Sequence, residues 1–154
     1  MSAAVQQVPP GCEARVRASF ARQAAMSTLG ATLGAIEPGR VEVLMRHRPE
    51  LTQQHGFVHA GMVAAALDSA CGYAAFTLMP EGAAVLTIEF KINLIAPARG
   101  PQLRLEGRVT KAGRTISVVD GSAFQRADDG DGETLVATMT ATMMTIVGRD
   151  GVRE

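Results

Sequence analysis

Between Leu51 and Pro80 the chain carries one formally charged side chain, Asp68. Around it, Met62 to Met79 is built almost wholly of apolar and small residues. That run is about long enough to cross a bilayer. It draws on Ala and Gly more than on Leu and Ile, however, and a carboxylate at mid-membrane costs at least ~2.5 kcal/mol. A helix apolar on every side is more simply the core of a folded domain. The run therefore predicts one long buried helix, His59 to Leu78, ended by Pro80-Glu81-Gly82. It must be wrapped on all sides, which limits what the rest of the chain can build.

The segments after the helix read as strands. Ala84–Ile95 alternates, with Leu86, Ile88, Phe90 and Ile92 on one face and Thr87, Glu89, Lys91 and Asn93 on the other. Gln102–Thr110 places Leu103, Leu105, Gly107 and Val109 inward. A tight turn at Lys111-Ala112-Gly113-Arg114 leads into a strand over Thr115–Arg126. An acidic loop over Asp128–Glu133 precedes the last strand, Thr134–Val147. Before the helix, Glu37-Pro38-Gly39 is turn chemistry joining Ala31–Ile36 to Arg40–Arg46 as a hairpin. His47–Gly56 reads as a loop with room for one helical turn. Cys12–Leu29 reads as a weakly amphipathic helix stopped by Gly30.

The expected organisation is a tail over residues 1–11, one domain over 12–147 and a polar tail over 148–154. Strands in succession with a segregated helix imply an α+β layer structure on a mostly antiparallel sheet. One sheet covers only part of an all-apolar helix. A second copy of the chain is the simplest cover for the rest.

Fifteen basic residues balance fifteen acidic ones, so there is no electrostatic footprint for nucleic acid or an anionic membrane. Two cysteines, Cys12 and Cys71, are too few for a disulfide scaffold and have no metal-ligand spacing. Met1–Pro10 lacks the basic segment and long apolar run of a secretory signal, so the expected location is the cytosol, with reduced thiols.

Charged residues are almost never fully buried unless paired, and a carboxylate in an apolar helix costs several kcal/mol. Asp68 is thus the first candidate for chemistry. The plain alternative is an Asp68 that faces a solvent crevice or pairs with a distant arginine. The second candidate is the junction Gln53-Gln54-His55-Gly56-Phe57-Val58-His59-Ala60-Gly61. Free N–H groups of a first helical turn form an anion site and can stabilise an oxyanion. An ordinary helix start is the plain alternative here.

Asp68 follows His59 by nine residues. The two lie ~13 Å apart along a helix and about 2.5 turns round it. One chain cannot easily bring Asp68 to its own helix N-terminus, whereas two antiparallel copies bring each Asp68 to the other's. The spacing predicts two composite sites in a two-fold dimer.

These residues resemble a known family. Val58-His59-Ala60-Gly61 followed by Leu67-Asp68 is similar to the phenylacetic-acid-type (PaaI-like) acyl-CoA thioesterases of the hotdog fold. Their signature is Asn-x-x-Gly-x-x-His-Gly-Gly with the catalytic Asp nine residues after the His. The likeness covers roughly residues 12–147 and includes Thr87-Ile88-Glu89-Phe90-Lys91-Ile92-Asn93 and Leu94-Ile95-Ala96-Pro97-Ala98-Arg99-Gly100. It implies an antiparallel sheet wrapped around a central helix, with an extra N-terminal helix. It also implies hydrolysis of acyl-coenzyme A without metal or other cofactor, in a homodimer and further in a tetramer of two dimers. The variant looks closest to members acting on medium- or long-chain acyl groups, with aromatic acyl groups a further option.

The resemblance also implies roles. Asp68 activates the attacking water or itself attacks the carbonyl. The Ala60 N–H binds the thioester oxygen, and Thr87 orients water beside Asp68. Gln53 stands where the family has Asn, one methylene longer, and Ala60 replaces the first Gly of the pair, a role that needs only a backbone N–H. His59 and Gly61 shape the helix entry against substrate, with His59 structural rather than a general base. Arg99, Lys111 and Arg114 are candidates for the coenzyme's phosphates, with solvated turn charges as the plain alternative. Cys71 is read as packing and not as a nucleophile. Two other functions fit the same fold: a non-catalytic acyl-CoA-binding module, and a dehydratase of 3-hydroxyacyl thioesters using a His and a carboxylate as acid and base.

Overall fold

The computed structural model describes residues 11–127, 130 and 132–152. Most of the N-terminal tail and Asp128, Asp129 and Asp131 of the acidic loop lie outside the described residues. The elements run α1 (Cys12–Ala21), α2 (Ala24–Leu29), β1 (Ala31–Glu37), β2 (Arg40–Arg46), a 3-10 turn (Pro49–Leu51), α3 (Ala60–Phe76), β3 (Ala84–Leu94), β4 (Gln102–Lys111), β5 (Ile116–Arg126) and β6 (Glu133–Ile146). This is the expected hotdog layout: one antiparallel sheet, ordered β1-β2-β4-β5-β6-β3, curled around α3.

The inner face carries Val41, Val43, Met45, Leu103, Leu105, Val119, Ala123, Met139, Ala141 and Met143, all buried. At the sheet's centre Gly107 and Gly121 are cross-strand partners. A Cβ at Gly107 would lie 2.4 Å from the Ala70 carbonyl oxygen, and one at Gly121 would lie 2.8 Å from the Cys71 sulfur. The pair forms a notch into which α3 sinks against bare backbone. The outer face is polar. Arg40 and Arg104 bridge Glu42 and Glu106 between β2 and β4, and Arg104 continues to Glu133 at 2.6 Å. Such a lattice is at home in water, so the outer face of β2 and β4 needs no cover.

The helix expected over Cys12–Leu29 is two helices. Gln23 leaves the helical region at φ −82°, ψ 91°. The Arg22 and Gln23 N–H groups close α1 on the Ser19 and Phe20 carbonyls, and the Gln23 carbonyl opens α2 by accepting from Met26 and Ser27. The residues around the break are ordinary helix formers. Packing imposes it: the bend buries Val16, Met26 and Leu29 together and sets Phe20 5.6 Å from the Tyr73 ring.

α3 ends at Phe76, earlier than Leu78. Thr77 donates its hydroxyl to the Ala74 carbonyl and accepts the Gly39 N–H, both at 2.7 Å, which ties the helix end to the β1–β2 turn. The helix is also not covered all round. Ser69 to Phe76 are buried, but Ala60, Gly61 and Ala65 stand open on the N-terminal half. No helix among the described residues is long and apolar enough to cross a membrane.

The alternation expected in β3 fails at one place. The strand bulges between Thr87 and Glu89, with Thr87 opposite Met143 and Glu89 opposite Thr142. The extra residue, Ile88, shifts the register by one. Thr87 therefore shares the inner face with Phe90 and Ile92, while Leu86, opposite Met144, turns outward. β3 is an edge strand, and Leu86, Ile88, Phe90 and Leu94 are all at least 44% exposed. The expected C-terminal polar tail is also partly built: Arg149 and Val152 pair in a turn that returns to the α1–α3 side of the molecule.

Candidate active site

Asp68 projects from the middle of α3 and is half-buried. The bulge in β3 turns Thr87 toward it, and the Thr87 hydroxyl donates to Asp68 Oδ1 at 2.8 Å. The same Thr87 oxygen lies 3.4 Å from the Met143 sulfur. Burial pushes the Asp68 carboxyl above its ordinary range, and the Thr87 hydrogen bond pulls part of the way back. Asp68 has no ion-pair partner among the described residues. It opens into a hollow of about 430 Å³ lined by Gln23, Ser69, Tyr73, Val85, Thr87 and Val152 among others.

The α3 N-terminus forms a second hollow of about 470 Å³, lined by Gln53, Phe57, His59, Ala60, Val63, Leu94 and Ala98 among others. His59 caps the helix, and its Nδ1 accepts the Gly61 N–H at 2.9 Å. That bond occupies the Gly61 N–H and makes His59 the helix cap. The Ala60 N–H, first in the helix, has no acceptor among the described residues, and Ala60 lines this hollow. Gln53 accepts the His55 N–H on its amide oxygen and lines the hollow. The chain crosses back here through the Val58 to Ala98 and His59 to Leu51 backbone bonds.

Within one chain the two halves stay apart. Asp68 and Thr87 line the first hollow; Gln53, His59 and Ala60 line the second. Of the cationic candidates, Arg99 stacks on Phe57 at 4.6 Å, at the rim of the second hollow. Arg114 lines a separate hollow with Ala75 and Leu78 near the end of α3, and Lys111 lines none of the three. Cys71 is fully buried, and burial with the Asp68 and Asp120 charges pushes its thiol up to about 12, so it is no nucleophile. The described residues hold no group of three or more His, Cys, Asp or Glu able to bind a metal ion.

Sequence reasoning missed one wall of the Asp68 hollow. Ser19, Arg22 and Gln23 reach it only because α1 and α2 break apart, and Gly151 and Val152 only because the C-terminal segment turns back. The first event has no local signal in the sequence; the second turns on Asp150-Gly151, a turn-forming pair within the segment expected as a polar tail.

The thioesterase superfamily model matches residues 55–130, which span the helix entry, Asp68 and Thr87. A thioesterase family protein from Silicibacter pomeroyi is 53% identical, with a TM-score of 0.87 over 90% of this chain and 100% of that one. A phenylacetic acid degradation-related protein from Ralstonia eutropha JMP134, provisionally named a thioesterase, is 27% identical, with a TM-score of 0.73 over 86% of this chain and 98% of that one. A Saccharolobus solfataricus protein provisionally named an esterase is 33% identical over 93 residues, 60% of this chain and 65% of that one. The match thus spans just under two thirds of that curated relative. Identity of 53% over the whole of a thioesterase-family chain, at a TM-score of 0.87, makes this protein a hotdog-fold member of the thioesterase superfamily.

Proposed function

We propose that the protein hydrolyses acyl-coenzyme A thioesters at two composite sites in a homodimer, each combining Asp68 and Thr87 of one chain with Gln53 and Ala60 of the other. The observation that carries this reading is the Thr87-bound, half-buried Asp68, 2.8 Å from its hydroxyl partner and open to a hollow. Its unused oxygen is the acceptor for a water proton. That water attacks the thioester carbonyl carbon. The proton passes to Asp68, and the carbonyl oxygen becomes an oxyanion held by the partner chain's Ala60 N–H. Collapse of the tetrahedral species breaks the C–S bond, and the proton leaves with the coenzyme A sulfur.

The edge strand supports the pairing. Residues 84–87 of β3 line the Asp68 hollow and residues 94–98 line the Ala60 hollow. Two β3 strands paired antiparallel about Phe90 set Thr87 of each opposite Asn93 of the other. Each Asp68 hollow then meets the partner's Ala60 hollow. The open apolar edge of β3 and the bare N-terminal half of α3 are the surfaces such a partner covers. Arg99 at the rim is placed to meet the coenzyme's phosphates, and His59 with Gly61 shapes the entry. Lys111 and Arg114 lie elsewhere and remain secondary candidates for the nucleotide end. A tetramer of two such dimers in the cytosol completes the proposal, with Cys12 and Cys71 as free thiols.

The test is coenzyme A release from short, long and aromatic acyl thioesters by wild type and Asp68→Asn. Turnover that drops by orders of magnitude in the variant is the expected result. A folded dimer that hydrolyses none of the thioesters overturns the reading and leaves a binding module.

A further inference from the structure

We infer that the hollow beside Asp68 selects acyl thioesters whose far end carries a carboxylate, bound by Arg22 with the hydroxyls of Tyr73 and Ser19. This deepens the proposed thioesterase function and rests on it. The hollow is unequal at its two ends. Asp68 and Thr87 hold one end. The other is a wall of donors: Arg22, the Gln23 amide, and the Ser19 and Tyr73 hydroxyls, 3.3 Å apart. Arg22 gives one N–H to the Ala18 carbonyl at 3.2 Å and forms no ion pair among the described residues. Gln23 spends its amide oxygen on the Ser69 hydroxyl at 3.4 Å and keeps its N–H groups for the hollow. The cation on the other side of Phe76, Arg15, is engaged by the Met79 and Pro80 carbonyls. Asp150, beside the lining residue Gly151, has an interaction of its own.

Arginine presents paired N–H donors that match a carboxylate fork, and hydroxyls complete its remaining lone pairs. A plain alkyl end would strip water from these donors and return no acceptor, which is how a polar pocket rejects an apolar analogue. Length agrees. Tyr73 follows Asp68 by five residues on the same helix, a rise of ~7.5 Å, so the carboxylate sits a short chain away from the thioester carbonyl. Gly72, Phe76 and Val85 also line the hollow.

The experiment compares kcat/KM for the coenzyme A thioesters of adipic, hexanoic and 6-hydroxyhexanoic acids in wild type, Arg22→Gln, Arg22→Lys and Tyr73→Phe. Arg22 is exposed, so its variants fold. Wild type is expected to favour the adipyl over the hexanoyl thioester at least tenfold. That ratio falls toward one in Arg22→Gln, is partly kept in Arg22→Lys and drops in Tyr73→Phe. Hexanoyl turnover equal to or above adipyl overturns the inference while leaving the thioesterase reading intact. So does an adipyl preference that survives Arg22→Gln, or a preference for the hydroxyacyl thioester that does. Absence of turnover with all three acyl groups sinks the thioesterase reading itself. The carboxylate site is then judged by thermal stabilisation. Free adipate, but not hexanoate, raising the melting temperature of wild type and not of Arg22→Gln keeps it, and no difference overturns it.

Discussion

At the residue scale, the proposed mechanism divides the site into a group that takes a proton, Asp68, and a group that only needs an N–H, Ala60. Ala60 is the first residue of α3, where a missing N–H costs the helix nothing and proline is well tolerated. His59 before it sits at φ −60°, ψ 136°, the conformation a following proline favours. Ala60→Pro therefore removes the oxyanion donor while sparing the fold. Its kcat is expected to fall by about 10²–10³ with a nearly unchanged melting temperature. A variant that keeps full kcat shows that another donor holds the oxyanion. As the proposed base, Asp68 sets the expected pH dependence. Because burial raises its folded pKa above the ordinary 3.8, kcat/KM is expected to fall on the acid side with an inflection above that value. The same shift has a stability sign. Below 3.8 the protonated group costs nothing; as pH rises through the raised pKa, ionised Asp68 destabilises the fold. Asp68→Asn should match wild type in acid unfolding and exceed it in stability at neutral pH, measured by urea titration at both pH values. Equal stability at neutral pH would show that the carboxylate is not desolvated.

At the scale of elements, the site depends on how deeply α3 sinks into the sheet. The Gly107–Gly121 notch sets that depth. The neighbour at Gly107 is helix backbone, which cannot swing aside, whereas at Gly121 the nearest atoms are the Cys71 sulfur and the Leu67 side chain. Gly107→Ala is expected to destabilise by ~1–3 kcal/mol or more, and Gly121→Ala by less, as read from urea midpoints. The Gly107 variant should also lose activity, because lifting α3 moves Asp68 off Thr87. The reverse order of the two costs would mean that the helix shifts freely over the notch. The β3 bulge is the other element that matters. Without Ile88 as an extra residue, Thr87 would point outward and Asp68 would lose its hydrogen-bond donor.

For the whole molecule, the separation of the two hollows within one chain is the main fact. It gives the dimer proposal a direct test. Asp68→Asn and Ala60→Pro chains, each inactive alone, should regain activity when unfolded together and refolded as a mixture. A mixed dimer holds one site with an intact Asp68 from one chain and an intact Ala60 from the other. Mixtures that stay as inactive as their parents, despite forming mixed dimers, would place all the groups in one chain.

The sequence by itself determined the central helix, the hairpin, the strands that follow, and Asp68 as the residue to explain. These are local facts. Apolar periodicity, turn residues and a lone charge in an apolar run are written into neighbouring positions, and the helix capped by His59 begins one residue after its expected start. The His59-to-Asp68 spacing even carried the separation of the two within one chain on which the dimer proposal rests, since helix geometry alone keeps them apart. Tertiary structure decided the rest. The break at Gln23 and the bulge at Ile88 have no local signature, and the Asp150-Gly151 turn does not by itself say that Val152 returns to the Asp68 hollow. Each satisfies a packing demand set by residues far away in the chain: the burial of Val16 with Met26, the matching of β3 to β6, and the closing of the wall around Tyr73. The polar wall that gives the hollow its selectivity was therefore out of reach until the helices were packed.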